Sequence, residues 1–187
     1  MDAFWPKATQ LPFTGAAAGN YVAGAPFRGV LHTTESMGYE PSATLYFGHV
    51  NPPHFTLVGK NGGAQMWQHY PITFSSRALE NRDGGVQTNR QGAIQIEICW
   101  KAAEIATLPD PMVALLKDWM RWVEDQADVK RHSPDFLDDS GYGVGSPSRM
   151  TFDKWNAFDG WCGHQHVPEN MHWDPGKIDI ARLLTHP

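Results

Sequence analysis

The sequence predicts an α/β (α+β) domain in which helices flank a central mixed β-sheet. Strand-like apolar runs and stretches with helical periodicity follow one another in mixed order, which is typical of such a sheet. The chain has 187 residues, of which 41% are hydrophobic and 19% charged, so it can bury one sizeable core. We therefore expect one domain over residues 27–187, preceded by an N-terminal arm over residues 1–26 that is rich in Gly, Ala and Pro.

Three stretches in the first half of the domain have the pattern of strands. Arg28–Ser36 opens with a short apolar run that ends at His32, which predicts a buried strand with a polar residue at its exit. His54–His69 contains two strand-like runs around Asn61-Gly62, a dipeptide typical of hairpin turns. Gly92–Trp100 alternates, and the face opposite its isoleucines would carry Gln95, Glu97 and Cys99.

The second half of the chain has the pattern of helices. The clearest helix is expected over Asp110–Ala127, with Asp110 as N-cap and Pro111 in the first helical position. Its core face is predicted to consist of Met112, Leu115, Leu116, Trp119 and Val123. The elements expected after it are a loop over Ser133–Arg149, a short helix from its N-cap Thr151 to about Phe158, a strand over Trp161–Val167 and a last helix over Lys177–Leu184.

Composition and charge argue against several classes of function. A net charge of −5 disfavours binding to nucleic acid or to an anionic membrane. No window approaches the ~20 consecutive apolar residues of a transmembrane helix, and the N-terminus lacks the pattern of a secretory signal. We therefore expect synthesis in the cytoplasm without membrane insertion. The two cysteines, Cys99 and Cys162, are expected to be buried thiols.

Histidine is the unusual component of this sequence, with nine residues, three of which lie in the stretch GHQHVPENMHWDPG. A catalytic zinc site takes three protein ligands and leaves one position to water. His32 and His164 can supply two ligands if their strands are neighbours. Spacing leaves the third ligand open, since His166 would share a strand face with His164 and Asp174 could fold back onto the metal. The alternative, a set of structural or solvated histidines, is disfavoured by this clustering.

Five motifs occur in order along the chain: GVLHTTES, HFTL-x-GKNGG with the following MWQ, IQIEI, GHQHV and DPG. Each motif is weak alone. Together they resemble the zinc-dependent N-acetylmuramoyl-L-alanine amidases of the type 2 class, which share a fold with the peptidoglycan recognition proteins. The resemblance spans about Arg28 to Leu184, and the composition of the histidine-rich stretch is most similar to endolysins of phages that infect actinobacteria.

The resemblance implies one zinc ion per chain, held by His32, His164 and Asp174. In that pattern His166 is not a ligand and has a structural role or contacts one of the ligands. The resemblance also implies an acidic residue that faces the metal from a central strand and acts as general base, which is Glu97 in this chain. The alternative for Glu97 is a solvent-facing strand residue.

Two departures from the family pattern concern the substrate. One branch of the family has a cationic residue, often lysine, two positions before the third ligand, where this chain has His172. His172 can donate a hydrogen bond to a developing oxyanion if it is protonated or in the correct tautomer. The family often has Trp-His-Ala-Gly after the hairpin, where this chain has SSRAL, so Ser76 or Arg77 is expected to contact the substrate, with Trp173 bordering the groove.

The implied activity is hydrolysis of the amide bond between N-acetylmuramic acid and the L-alanine of the peptidoglycan stem peptide, with residues 27–187 as the zinc amidase catalytic domain. Such an endolysin is made in the host cytoplasm and acts on the cell wall, and we expect a monomer without a nucleic-acid partner. One alternative is a non-catalytic peptidoglycan-binding module of the same fold, which typically lacks a zinc ligand. Another is a zinc hydrolase that acts on a different amide or peptide.

Overall fold

A mixed sheet of six strands forms the centre of the part of the chain that this computed structural model describes, namely residues 1–12, 19–37, 51–81, 87–138 and 146–185. The strands are β1 (Thr9–Gln10), β2 (Arg28–Thr33), β3 (Phe55–Lys60), β4 (Gly63–Gln68), β5 (Ala93–Ile98) and β6 (Trp161–Gly163), in the order β1-β4-β3-β5-β2-β6. The helices are α1 (Asp110–Ala127), α2 (Phe152–Ala157) and α3 (Ile180–Leu184), with 3₁₀ segments at Ala102–Thr107 and His164–His166. This arrangement confirms the predicted fold class.

Parallel pairing in the middle of the sheet places the candidate site residues side by side. β2 pairs in parallel with β5 and β6, whereas the hairpin of β3 and β4 is antiparallel, as its Asn-Gly turn predicts. His32 lies opposite Glu97, and Glu97 lies opposite Thr56 on β3. Paired residues point to the same face of a sheet, so these three side chains are neighbours near the carboxyl ends of β2 and β5.

Helix α1 covers one face of the sheet and forms the main core with it. Trp119 packs edge to face on both Phe55 and Trp161, with ring centroids 5.4 Å apart in each pair. Four of the five predicted core residues of α1 are fully buried; Leu115 is partly buried and packs against the same core. Each such side chain stabilises the fold by about 1.5–3 kcal/mol relative to its exposed state.

A smaller apolar cluster lies on the opposite face of the sheet. Its members come from β2, β5, β6, α2 and neighbouring loops: Val30, Leu79, Ala93, Trp155, Cys162 and Val167. Helix α2 begins as predicted, with Thr151 as N-cap accepting a hydrogen bond from the N–H of Lys154. Both cysteines are buried, free thiols, as expected.

The first residues of two helices differ from the prediction. The N-cap of α1 is Pro109, without a side-chain cap, and Asp110 is already helical. The Asp110 carboxylate instead accepts a hydrogen bond from Arg182 of α3 at 2.7 Å, a contact between distant segments that a local pattern does not contain. Helix α3 begins later than predicted, at Ile180, because Asp179 caps it.

The strand predicted over residues 161–167 is shorter, and this part of the prediction was wrong. β6 ends at Gly163, and the next three residues form a 3₁₀ turn in which the N–H of Val167 donates to the carbonyl of His164 at 3.0 Å. The side chain of His166 accepts a hydrogen bond from the N–H of Gly163 at 2.9 Å and so stabilises the turn. His164 and His166 therefore do not share a strand face.

The described part of the N-terminal arm packs on the domain. β1 pairs in parallel with β4, and the N–H of Trp5 donates to Gln68 Oε1 at 2.8 Å while its indole is buried in the main core. Residues 13–18 of the arm and residues 139–145 of the predicted loop Ser133–Arg149 lie outside the described ranges. The boundary at residue 26 stays a prediction. Within the described ranges, no helix combines the length and apolar character needed to cross a membrane.

Candidate metal centre

Three of the predicted site residues meet in one buried group. His32 comes from the end of β2, His164 directly follows β6, and Asp174 lies beyond the 3₁₀ turn. One potential ligand atom from each lies within 4.8 Å of the others. The Nδ1 atoms of the two imidazoles are 3.0 Å apart, Asp174 Oδ1 is 3.3 Å from His164 Nδ1, and Asp174 Oδ2 is 3.6 Å from His32 Nδ1. The structure thus brings Asp174, and not His166, to the other two residues.

The chemistry of this group fits a zinc ion. Two imidazole nitrogens and one carboxylate oxygen form a donor set that zinc accepts in catalytic sites. Burial, reinforced by His164, holds the pKa of His32 well below its usual range, so the ring is neutral. Burial alone would raise the pKa of Asp174, but the neighbouring imidazoles outweigh it and hold that pKa well below its usual range. Neutral imidazole and ionised carboxylate are the forms that bind metals.

Each ligand is also held from outside the group. Asp174 Oδ2 accepts the N–H of Thr33 at 3.3 Å, and His164 Nε2 lies 3.0 Å from Asn170 Oδ1. The Gln95 side chain interacts with His32, and this interaction opposes the larger effect of burial, which lowers the pKa of the ring. Neither His32 Nε2 nor Gln95 Oε1 has a partner with full hydrogen-bond geometry among the described residues. Asn170 and Gln95 are neutral amides without a recognisable spacing, so the sequence analysis missed them.

Glu97 lies beside this group on the neighbouring strand. Its Oε2 atom is buried and has no hydrogen-bond partner among the described residues, although the residue as a whole is partly exposed in a cavity. Burial raises the pKa of Glu97 well above its usual range, and the negative charges of Asp174 and Glu35 raise it further. A cation bound by His32, His164 and Asp174 would lower the pKa of Glu97. Glu97 thus lies partly buried in the wall of the cavity, and its role as general base stays a prediction.

Glu35, in the HTTES motif, was also missed by the sequence analysis. Its backbone is in the left-handed region, with φ of 56°. Its Oε1 accepts hydrogen bonds from Thr33 Oγ1 at 2.7 Å and from the N–H of Ala102 at 2.9 Å. This carboxylate thereby ties the exit of β2 to the 3₁₀ segment that follows β5.

His172 contacts the group without belonging to it. Its ring stacks on that of His164, with centroids 3.9 Å apart and planes 12° apart, and its Nδ1 is 3.3 Å from Asp174 Oδ1. About half of the side chain, 52%, is exposed. The remaining predicted support residue, His166, lies away from the ligand atoms, with Nε2 3.0 Å from the carbonyl oxygen of Asp135 and Nδ1 engaged by Gly163.

A cavity of about 860 Å³ opens onto the group. It is lined mainly by polar side chains: Thr33, Glu35, Asn51, Arg77, Ala78, Leu79, Glu80, Asn81, Asn89, Glu97, His164, Asn170, His172, Trp173 and Asp174. The predicted substrate contacts Arg77 and Trp173 therefore both face this cavity, whereas Ser76 is buried. Several described residues of the loop Ser133–Arg149 line a separate cavity.

The fold is shared with proteins of known structure. No family model and no curated protein sequence matches the chain. The chain is similar to the crystal structure of a selenomethionine derivative of AmpD, with a TM-score of 0.60 and 15% identity over 100% of this chain and 98% of that one. It is also similar to the N-acetylmuramoyl-L-alanine amidase LysC from Clostridium intestinale URNW, with a TM-score of 0.56 and 13% identity over 96% of this chain and 95% of that one. At such identities the likeness establishes the fold.

Proposed function

We propose that this protein is a zinc-dependent N-acetylmuramoyl-L-alanine amidase that hydrolyses peptidoglycan. The observation that carries the proposal is the buried group of His32, His164 and Asp174 beside a cavity that also holds the Glu97 carboxylate. Two further facts support it. The chain shares its fold with LysC, an N-acetylmuramoyl-L-alanine amidase, and five motifs of its sequence resemble those of such enzymes in the same order.

One zinc ion per chain would be held by the two imidazole rings and the Asp174 carboxylate. The Nδ1 atoms of both rings face the carboxylate, so they are the nitrogens available to a metal. Bound zinc supplies Lewis acidity, polarising a carbonyl group and lowering the pKa of a water molecule to about 7. All three side chains are buried, and the cavity that opens onto them would give water and substrate access to the ion.

Glu97 is the general base in this proposal. Water adds its oxygen to the carbonyl carbon of the lactyl amide, and the Glu97 carboxylate takes the proton that this water releases. As the carbon–nitrogen bond breaks, the same carboxyl group gives the proton to the departing amino group of L-alanine. Burial and the neighbouring carboxylates raise the pKa of Glu97, whereas a bound zinc ion would lower it, so the two influences oppose each other in the zinc-loaded enzyme.

His172 is the candidate donor to the developing oxyanion. Its Nδ1 faces Asp174 Oδ1, so a proton on Nδ1 is used by that contact. Donation to the substrate oxygen uses a proton on Nε2, in either the neutral Nε2–H tautomer or the imidazolium form. Its exposed half lines the cavity, where a substrate carbonyl would bind.

The other predicted site residues receive supporting roles. Arg77 and Trp173 line the cavity and are proposed to bind substrate, with Trp173 offering an aromatic surface to a sugar ring. His166 is proposed to hold the backbone on the amino-terminal side of His164, since it accepts the N–H of Gly163. Residues 27–187 would form the catalytic domain.

The proposed setting is host cell lysis by a phage endolysin. The motifs and the composition of the Gly163–Gly176 stretch, which are most similar to endolysins of actinobacterial phages, support this setting. The enzyme would be a monomer, made in the host cytoplasm, and would act on the cell wall.

Glu97→Gln tests the mechanism because it keeps the size of the side chain and removes the base. We expect the variant to bind zinc as the wild type does and to release stem peptides from cell walls about 10²–10⁴-fold more slowly. Glu104→Gln, an exposed glutamate of the segment Ala102–Thr107, is the matched control and should behave as wild type. Full activity of a zinc-loaded Glu97→Gln enzyme would remove Glu97 from the mechanism.

A further inference from the structure

Asn170 joins a proposed metal ligand to the wall of the cavity. Its carboxamide is fully buried and makes two contacts with one backbone residue. Asn170 Oδ1 accepts the N–H of Glu80 at 2.7 Å, and Asn170 Nδ2 donates to the carbonyl of Glu80 at 3.2 Å and to that of Pro168 at 2.9 Å. The same Oδ1 atom lies 3.0 Å from His164 Nε2.

These contacts fix which way the amide points. If the carboxamide were turned over, its NH₂ group would face the N–H of Glu80 and its oxygen would face two carbonyls, leaving buried groups without partners. The atom that faces His164 is therefore an acceptor. An acceptor at 3.0 Å requires a proton on His164 Nε2.

The position of this proton decides which nitrogen can bind a metal. Asp174 Oδ1 lies 3.3 Å from His164 Nδ1 and attracts a proton to that atom, which would block it as a ligand. Asn170 attracts the proton to the opposite side of the ring. His32 Nδ1, 3.0 Å from His164 Nδ1, is a second group that can accept a proton on that side of the ring. A neutral imidazole carries one proton, so Asn170 competes with Asp174 and His32 for it, and Asn170 favours the tautomer that leaves the lone pair on Nδ1.

We propose that Asn170 is a positioning residue that fixes the Nε2–H tautomer of His164 and thereby presents Nδ1 to the metal. The inference rests on the proposed function, because it assigns His164 to a zinc site. It also couples that site to the cavity wall, since the same amide holds both polar groups of the Glu80 backbone.

Asn89 provides a matched control. Its buried carboxamide makes the same two-point contact with the preceding wall residue: Asn89 Oδ1 accepts the N–H of Leu79 at 3.1 Å, and Asn89 Nδ2 donates to its carbonyl at 2.7 Å. The remaining contact of this amide is with Gln95 and not with His164. Asn89→Ala therefore removes equivalent backbone contacts and leaves His164 with its acceptor. Because it also frees Gln95, which acts on His32, it is a control for the ring protonation of His164 and not for zinc affinity.

The first readout is the protonation of the His164 ring, measured by ¹H–¹⁵N NMR at about pH 8, above the usual histidine pKa. We expect wild type and Asn89→Ala to carry the proton on Nε2, with or without zinc. Zinc-free Asn170→Ala should populate the Nδ1–H form. Asn170→Asp keeps an acceptor and should restore the Nε2–H form, even though it loses the donor to the Glu80 and Pro168 carbonyls.

The second readout is zinc affinity, measured by competition with a chelator. Asn170→Ala should bind zinc about 10–100-fold more weakly than wild type, and Asn170→Asp should recover most of this loss despite a lower melting temperature. A zinc affinity that stays as low in Asn170→Asp as in Asn170→Ala would overturn the inference, as would an unprotonated Nε2 in the wild type. A wild type that binds no zinc would contradict the proposed function, and the ring protonation would still decide the role of Asn170.

Discussion

Asp174 is the residue on which the candidate centre depends most. Its Oδ2 accepts the N–H of Thr33, and its Oδ1 faces the imidazoles of His164 and His172. The two oxygens are therefore held in place by groups from β2, from the turn after β6 and from the loop that precedes Asp174. A carboxylate held in this way has little freedom to leave the centre, which lowers the entropic cost of binding a metal.

Replacing Asp174 by alanine should abolish stoichiometric zinc binding, because two imidazoles alone make a weak site. The measurement is zinc per chain by elemental analysis after dialysis. His166→Ala is the companion variant: it should keep about one zinc per chain and lose stability, since among the described residues the His166 side chain makes its hydrogen bonds to the backbone of Gly163 and Asp135 and none to the ligands. The opposite result, with zinc lost in His166→Ala and kept in Asp174→Ala, would exchange the two roles.

The sequence could predict the residues of this centre better than their arrangement. His164 and Asp174 stand out because they lie in a cluster of three histidines and one aspartate, and His32 stands out because its motif and theirs occur in order along the chain. The choice between His166 and Asp174 stayed open on spacing alone, because it depends on whether the chain continues as a strand after Gly163. Asn170 lies in the same stretch, but an amide becomes significant only when its partners are known.

At the scale of elements, the turn after β6 positions Asp174. The N–H of Gln165 donates to the carbonyl of Asp174 at 2.9 Å, and the Gln165 side chain donates to the carbonyls of Trp173 and Gly176 at 3.2 and 3.0 Å. The last residue of β6, Gly163, lies against the same segment. A methyl group there would be 2.5 Å from Pro175 Cδ and 2.6 Å from Phe136 Cε1.

Gly163→Ala should therefore displace the segment that carries Asp174. We expect a loss of about 1–3 kcal/mol in the free energy of unfolding from overpacking, together with weaker zinc binding, measured by denaturation and chelator competition. Gly59→Ala on β3 is a suitable control, because its methyl group would meet the flexible Met112 side chain at 3.2 Å, far from the centre. Zinc affinity unchanged in Gly163→Ala would show that this close approach does not position Asp174.

Elements were predictable where a local pattern determines them. The Asn-Gly hairpin, the alternating strand β5 and the amphipathic helix α1 all occur where the sequence indicated. The strand expected through Val167 failed because HQHV alternates like a strand, while the backbone turns under the influence of His166. The conformation of this segment depends on tertiary contacts, which cannot be predicted from local periodicity.

At the scale of the whole molecule, buried neutral histidines make stability depend on pH. Burial lowers the pKa of His54 and of His69 to about 4 each. His54 accepts the N–H of Gln95 on its Nδ1 at 3.0 Å, and its Nε2 lies 2.8 Å from the carbonyl oxygen of Phe74. A second proton on this ring would face a backbone donor, so protonation must disrupt the contact between β5 and the start of β3.

Stability of the zinc-free protein should therefore fall as pH decreases from about 6.5 to about 4. In that window the unfolded chain, with ordinary histidines, binds protons that the folded chain does not, so the free energy of unfolding rises with pH. The expected loss is on the order of 3 kcal/mol for each of His54 and His69, measured by urea denaturation at several pH values.

Two variants test the origin of this pH dependence. His69→Gln should make the pH dependence shallower, because it removes one of the buried rings whose pKa is lowered by burial. His132→Gln, which changes a histidine whose side chain is about half exposed, should leave it as in wild type. An identical pH dependence in wild type and His69→Gln would assign the effect to other groups.

The order of strands in the sheet lay beyond what the sequence could predict. The fold class follows from the kinds of element, but the parallel pairing of β2 with both β5 and β6 joins segments that are far apart in the chain. The same holds for the N-terminal arm, whose Trp5 enters the core although its surroundings carry little periodicity. Such long-range pairing depends on the complementarity of surfaces that exist only in the folded molecule.

The central claim, zinc-dependent cleavage of the amide between muramic acid and L-alanine, is tested most directly by mass spectrometry of cell walls digested with the wild-type protein. The account predicts free stem peptides with a new L-alanine amino terminus, their disappearance after zinc is removed by a chelator, and their return when zinc is restored. Binding to cell walls without release of stem peptides would indicate a non-catalytic module of the same fold. Release that is unaffected by zinc removal would contradict the proposed metal centre.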